Sequence, residues 1–469
     1  MDDTRVVNEN TSLLPGQHKN RTPTPLPWFQ ISIVLFLQTC EPIISLSIYP
    51  FINQLVGELD ITGGDKRKVG YYAGLIESLF FATEAITILQ WGRMSDRVGR
   101  KPILLIGLFG SSVSMICFGL SRTFWGLVLS RCLSGLLNGN IGVMKTVMGE
   151  LTDSTNRAQA FPFMSIVWAI GVTIAPLVGG SLSRPHEHFP SVFGGPFWKQ
   201  YPYFLPCLVS SSFAIVAFVV TLVFFKETVP KVSTAHATEQ SVQCSEDNLV
   251  SLRQLLTFPV VLSVSNYTAL AFLNITLLAI MPLFFTMPIE LGGLGFTPSL
   301  IGYILGSCGV LIGLFQVFCF SRIVRYLGER SVFNIGMRAY LIVFTVLPVM
   351  GAYAQRFGVT FVVWILIGLV LVMMAFMDMA YACVFIYITA SVPSKRSLGA
   401  VNGLSQTTVS IARAIGPALT TSLYSLSVEH KILGGYAVYT ILFALSILGL
   451  LLGIQLPYKM WEEHDKDIP

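Results

Sequence analysis

Apolar runs of bilayer-crossing length recur along this chain, separated by short polar, basic or glycine-rich breaks. About 20 mostly apolar residues span a membrane as a helix. Twelve such runs begin near Trp28, Tyr71, Pro102, Phe124, Ala160, Tyr203, Phe258, Ser299, Ser331, Phe357, Gly399 and Gly435. Between the sixth and seventh lies a stretch, residues 226–256, rich in Ser, Thr, Glu and Lys. A segment so poor in apolar residues cannot offset the entropy of ordering, so it reads as a linker. A short amphipathic helix around Asn248–Leu256 is compatible with that reading. The pattern predicts an all-α membrane protein with a tail (1–26), two six-helix halves (27–225 and 257–457) and a second tail (458–469).

Composition sharpens the class. Of 469 residues, 53% are hydrophobic and 12% charged, with mean hydropathy +0.68. A soluble domain carries roughly 25% charged residues, so a soluble enzyme is excluded. The formal charge of +5 is modest, and its distribution says more than its size. No nucleic-acid partner is expected. Seven of the 8 cysteines fall in apolar runs, with Cys244 in the linker, and no CxxC pair occurs. Buried single cysteines of this kind behave as small hydrophobes. No GxxxxGK[ST] phosphate loop is present, so no cofactor, metal or nucleotide is expected. His186 and His188 flank Glu187 in a polar loop and read as solvated. The first 26 residues lack the apolar core of a leader peptide.

Charge sets the orientation. With an even number of spans both tails share one side, and that side gathers the larger share of Lys and Arg, which places it in the cytosol. The cluster Lys66-Arg67-Lys68 runs against this rule. The most basic turn, Trp91-Gly92-Arg93-Met94-Ser95-Asp96-Arg97-Val98-Gly99-Arg100-Lys101-Pro102, joins the second and third runs. Arg322 to Arg330 repeats it weakly in the second half, with Gly328 aligned on Gly99.

The spacing G-R-x-x-D-R-x-G-R-K of that turn resembles the signature between helices 2 and 3 of the major facilitator superfamily. Residues from Trp28 to about Leu456 resemble its fungal proton-antiporter members, close to the zinc-induced facilitator-like group. The stretches Gly70–Lys101, Asn138–Gly142, Tyr201–Leu208 and Leu398–Ser422 carry that likeness. It implies two pseudo-symmetric six-helix bundles that alternate access to a central site, with helices 1, 4, 7 and 10 lining the cavity.

Ionisable side chains inside a membrane are functional candidates. They are Glu41 in helix 1, Glu77 and Glu84 in helix 2, Arg131 and Lys145 in helix 4, Asp378 in helix 10 and Arg413 in helix 11; Arg338 lies towards one end of helix 9. Gln38, Glu41, Ser45 and Tyr49 share a helical face, and Pro42 loosens the backbone beside it. Burial favours a neutral carboxyl and a neighbouring guanidinium the charged one, so their balance decides when a proton is held. Glu41 therefore reads either as a proton carrier or as a neutral structural acid. Glu84 is the competing carrier. Arg131, Asn138 and Lys145 lie seven apart on one face, among glycines that let a neighbour approach. The superfamily's helix-4 motif, R-x-x-x-G, implies that Arg131 stands beside the proton site; the plain alternative is a glycine packing seam with a snorkelling arginine. The expected solute cavity comprises Gln38, Asn138, Lys145, Asn266, Asn274, Asp378, Gln406 and Arg413.

Two further motifs bear on the cycle. Gly171, Pro176, Gly179 and Gly180 in helix 5 resemble the glycine-proline motif of the antiporter branch, with Ala175 where a second glycine is common. They are expected to seal against the other half, where helix 11 offers Gly416-Pro417 in the matching place. Gly92, Asp96, Arg97, Gly99 and Arg100, with Glu150 and Asp153, form an expected cytosolic gate. In it Asp96 faces the start of helix 11, and Arg97 or Arg100 pairs with Glu150 or Asp153. The expected activity is proton-coupled export of a small organic solute by a monomer that is not an enzyme. A vacuolar or uptake carrier for a nutrient and a non-transporting sensor are the alternatives. Glu9 to Leu14 resembles an acidic dileucine sorting signal, pointing to a vacuolar or lysosome-like membrane, with the plasma membrane next.

Overall fold

The apolar runs fold as helices throughout. A computed structural model describes residues 24–152, 156–228, 256–392, 398–458 and 461. The dileucine string, Asp153, and all of the expected linker except 226–228 and 256 lie outside the described residues. Twelve long helices occupy the described chain: α1 (Trp28–Leu46), α2 (Val69–Val98), α3 (Arg100–Leu120), α4 (Phe124–Glu150), α5 (Arg157–Ser181), α6 (Phe204–Phe224), α7 (Phe258–Thr286), α8 (Pro298–Leu327), α9 (Glu329–Phe357), α10 (Phe361–Ala390), α11 (Leu398–Glu429) and α12 (Ala437–Ile454).

Nine of these are, among the described residues, individually long and apolar enough to cross a membrane. The other three are α2, α5 and α11. Helix α2 bends by 45° and carries Glu77 and Glu84; counted as one bent span it makes ten. In α5 only Ile166–Ser181 registers as an apolar helix. Helix α11 carries Arg413 amid Ser and Thr. These three run along the seam between the halves, α2 against α11 and α5 against α8. Their polar faces meet protein there instead of lipid, so they need no all-round apolar surface. Elsewhere large apolar side chains point outward, among them Ile86, Phe109 and Leu129. On a soluble protein such a surface would be a liability.

Both halves turn their basic loops alike. Gly99 (φ 111°, ψ 159°) joins α2 to α3, and Gly328 (φ 77°, ψ 157°) joins α8 to α9. A side chain at either φ would strain the backbone. The face carrying these loops and both ends of the described chain is called the near face, its opposite the far face.

The two halves meet tightly towards the far face. A Cβ at Gly74 of α2 would lie 2.8 Å from the Pro417 carbonyl oxygen of α11. A Cβ at Gly180 of α5 would lie 2.7 Å from Gly302 Cα of α8. Ser78 accepts the Ala418 amide at 2.8 Å, and Tyr71 donates to Glu429 at 3.3 Å. Towards the near face, a Cβ at Gly92, Gly142 or Gly403 would meet nothing within 4 Å among the described residues. The seam is closed at the far face and the cleft opens to the near face.

Candidate functional site

The floor of the cleft is built where α1, α2 and α4 each lose regularity or bury a charge. Pro42 sits inside α1 and packs on α5, where a Cβ at Gly171 would lie 2.3 Å from its Cγ. Helix α4 breaks at Asn138 (φ −82°, ψ 69°) and restarts at Asn140. Non-helical backbone at this depth is tolerated only where protein or a wet cavity satisfies it. Asn138 fits: its Nδ2 donates to Glu84 Oε1 at 2.9 Å. Ser45 donates to Glu41 Oε1 at 3.4 Å, while Glu41 Oε2 is buried with no partner among the described residues. Gln38, one turn away, is buried with its Oε1 also unpartnered. The charges bearing on Glu41 are Arg413 and Lys145, and those on Glu84 are Glu41 and Arg413.

The opposite wall comes from α7, α10 and α11. Arg413 faces Tyr381, Tyr267, Glu84 and Glu41. Tyr267 donates to Gln406 Oε1 at 3.3 Å. Asp378 lies near Tyr381, Tyr340 and Cys308, and Asn274 lies by Tyr340. Lys145 has open space at its side chain although it feels both Arg413 and Glu41, as a residue lining a wet cleft does. Neither Lys145 nor Arg413 forms an ion pair within 4.0 Å among the described residues. Two carboxylates from one half thus share a cleft with cations from both halves. That arrangement can trade protons and hold a charged or polar solute.

Three expected placements in the cleft and along the seam differ. Asn266 does not reach the cleft: it is 1% exposed and donates to the carbonyls of Leu262 (2.9 Å) and Leu452 (3.3 Å), tying α7 to α12. Arg131 does not stand beside Glu41. It lies two turns beyond Asn138 along α4, roughly 10 Å deeper towards the far face. There it rests over the Phe80 and Phe118 rings, 5.4 and 5.3 Å away, and the acid it feels is Glu77. The α5 motif seals against α8, not α11. Gly171 and Gly179 pack on α1, while Gly180 and the Pro176 carbonyl meet Gly302. Gly416 packs on Ile275 of α7.

The near-face loop is a network centred on Arg100. Its guanidinium binds Asp96 (2.5 Å), Ser95 (2.6 Å) and Glu150 (2.9 Å). The Asp96 side chain is 64% exposed and pairs with Arg100, within its own loop. Arg97 is exposed, and Gly92 meets open space. Glu227, which the pattern assigned to the linker, caps α3: its carboxylate accepts the amides of Arg100 (2.9 Å) and Lys101 (3.0 Å). An anion suits a helix N-terminus, and a Cβ at Gly99 would come within 2.6 Å of it. Arg100→Ala strips this network of its hub and should lower stability by about 1–3 kcal/mol. A melting curve of the purified variant that overlays wild type would refute this.

At the far face the anomalous basic cluster has neighbours. Asp65 holds Arg67 at 2.8 Å, and the guanidinium keeps that carboxyl below its ordinary range. Glu429 of α11 acts on Arg67 and accepts from Tyr71. The cluster thus faces an acid across the seam. Among the described residues no three His, Cys, Asp or Glu gather as metal ligands.

Residues 34–417 match the family described as the Major Facilitator Superfamily. The efflux pump azaK of Aspergillus niger is 31% identical, covering 94% of this chain and 93% of that protein. ZINC INDUCED FACILITATOR-LIKE 1 of Arabidopsis thaliana is 28% identical, covering 91% of each. A crystal structure of a D-xylose-proton symporter shares the fold, with TM-score 0.69, 14% identity, 92% of this chain and 99% of that one. A cleft between two six-helix halves, a seam closed at one face, and a family match over most of the length agree: this chain is an integral, multi-pass membrane transporter of the Major Facilitator Superfamily.

Proposed function

We propose that this transporter is a proton-coupled antiporter that exports a small organic solute, such as a drug, toxin or secondary metabolite, by alternating access. The observation that carries the reading is Glu41, a mid-membrane carboxyl with one buried oxygen unpartnered, next to a second acid, Glu84. In this reading Glu41 carries the proton and Glu84 tunes or shares it. Gln38, Asn138, Lys145, Asn274, Asp378, Gln406 and Arg413 contact the solute. The near face is the cytosol, because it gathers the basic residues. The membrane is vacuolar or the plasma membrane, and the unit is a monomer. That azaK is named an efflux pump supports the direction.

Energetics permit this. A charge crossing 100 mV is worth about 2.3 kcal/mol, and one pH unit adds about 1.4 kcal/mol. The test is the purified protein in liposomes under an imposed pH gradient, screened with a panel of labelled solutes. Gradient-driven accumulation with counterflow is the expected result. Counterflow indifferent to pH would remove proton coupling, and binding without counterflow would favour the sensor.

The gate belongs to the same reading. With the near face open, Asp96 is exposed; on closure it meets the start of α11. A carboxylate at a helix N-terminus contributes about 0.3–1 kcal/mol when exposed and more when partly buried. Asp96→Asn should therefore slow transport several-fold while insertion and melting stay unchanged. Wild-type turnover in the inserted variant would refute the latch.

A further inference from the structure

A small chamber lies inside the first half, between α1, α2, α3 and α4, where α4 breaks at Asn138. Glu41, Ser45, Ser111, Ser134, Asn138 and Asn140 form its polar wall. Apolar side chains, Phe80 and Leu108 among them, close the rest. Among the described residues no Lys, Arg or His lines it. Its volume of about 20 Å³ admits a water or a bare ion and no organic solute.

The wall offers oxygens that no side chain or backbone group satisfies. A buried serine in an apolar helix ordinarily donates to a backbone carbonyl. Ser112, Ser114 and Ser130 do so, at 3.0, 2.6 and 2.8 Å. Ser111 and Ser134, 7% and 1% exposed, form no side-chain hydrogen bond among the described residues. Ser45 holds one Glu41 oxygen at 3.4 Å, and the other, Oε2, is buried without a partner. Asn140 Oδ1 is buried and unpartnered as well, and the residue is 6% exposed. Gly107 of α3 makes room for that amide, since a Cβ there would lie 2.2 Å from Oδ1. The helix break adds one more oxygen. The Asn138 amide bonds the Gly135 carbonyl at 3.2 Å, so the Ser134 carbonyl loses its helical donor.

Unmet buried polar atoms are costly, and here they gather from three helices around one carboxyl. A cation meets every such oxygen from one point and offsets the carboxylate's charge, which a water does not. The charged groups acting on Glu41 are Arg413 of α11, Lys145 of α4 and, as a like charge, Glu84 of α2. None of them lines the chamber, and neither cation pairs with Glu41 within 4.0 Å. Carboxylate, amide and hydroxyl oxygens are hard donors, and a single carboxylate balances a single positive charge. Broken helices in transporters supply such sites from the C-terminal end of a half-helix.

We propose that this chamber is a binding site for an alkali-metal cation, held by Glu41, Ser111, Ser134 and Asn140, with water completing its shell. The site lies apart from the wall that α7, α10 and α11 give the solute cleft. A bound cation ties α1 and α3 to both segments of α4, and so stiffens the first half at the level where α4 breaks. A proton on Glu41 and the cation neutralise the same charge, so one excludes the other. The inference goes beyond the antiport reading and stands without it, because binding needs no gradient.

The test is the melting temperature of the purified full chain in detergent at fixed pH. It is titrated with NaCl, KCl and choline chloride at matched ionic strength. A ligand held by the folded state alone raises that temperature by mass action. Sodium or potassium should raise it saturably where choline does not, and the more effective of the two names the occupant. Asn140→Ala should raise the concentration for half the effect by about tenfold or more, the worth of one polar contact to a charged group. Equal curves for all three salts mean that the chamber takes water alone, and overturn the proposal. A half-point in Asn140→Ala equal to that of wild type overturns it too. If Asn140→Ala does not insert, Ser111→Ala is read in its place by the same criterion. Transport driven by a pH gradient together with three equal salt curves defeats this proposal alone. A cation-specific shift in a protein whose counterflow ignores the gradient defeats the antiport reading and leaves the site standing.

Discussion

Glu41→Gln should abolish accumulation driven by a pH gradient and leave a slower counterflow. Glutamine keeps the shape and the Ser45 contact but cannot release a proton. One proton moving down 100 mV and one pH unit sustains a solute ratio on the order of several hundredfold. The variant should bring that ratio close to one. Paired uptake and counterflow assays in liposomes check it. Glu84 is the control, since it accepts from Asn138 and feels the Glu41 charge. If Glu41→Gln keeps driven transport while Glu84→Gln loses it, the carrier is on α2 and the assignment to α1 is wrong.

Gly180→Ala should slow transport by roughly ten- to a hundredfold, by penalising one conformation only. In the near-face-open state a Cβ there would sit 2.5 Å from the Pro298 carbonyl oxygen and 2.7 Å from Gly302 Cα. Both are backbone atoms, which cannot swing aside. Overpacking of this kind costs about 1–3 kcal/mol, and 1.4 kcal/mol is tenfold in population. The far seam should therefore spend more time open, read as faster labelling of a cysteine placed at the far end of α8. Gly302→Ala should act alike, and the double variant should be less than additive because both touch one contact. Unchanged labelling together with unchanged transport would show that the α5–α8 seam does not gate the far face.

Much of the architecture was legible because a bilayer is a strict solvent. The runs beginning near Trp28, Phe124 and Phe258 start helices at those residues, and the others begin within a few residues of expectation. The weakest spans by composition, α2, α5 and α11, are those whose polar faces meet the other half. Glu41 and Ser45 share a face because helical spacing requires it. Glu77 was visible as an acid inside an apolar run, seven residues before Glu84. Tyr267 and Tyr381 had no such signal, since an aromatic in an apolar helix looks the same towards lipid or cleft. Glu227 lay in a stretch whose composition reads as linker, and its role as the cap of α3 depends on where that chain end returns.

By itself the sequence determined the class and the number of long helices. Hydropathy and the 3.6-residue period act within one segment, so they can be read from one segment. Only the tertiary structure decided which faces meet and at what depth. Arg131 belongs with Glu77 because α2 and α4 pack in a register that sets them level. The α5 glycines close on Gly302 because α8 crosses there. Asn266 turns to α12 because its carbonyl partners lie on that side. Depth and rotation of one helix against another are set by side chains distant in sequence, and no local period encodes them.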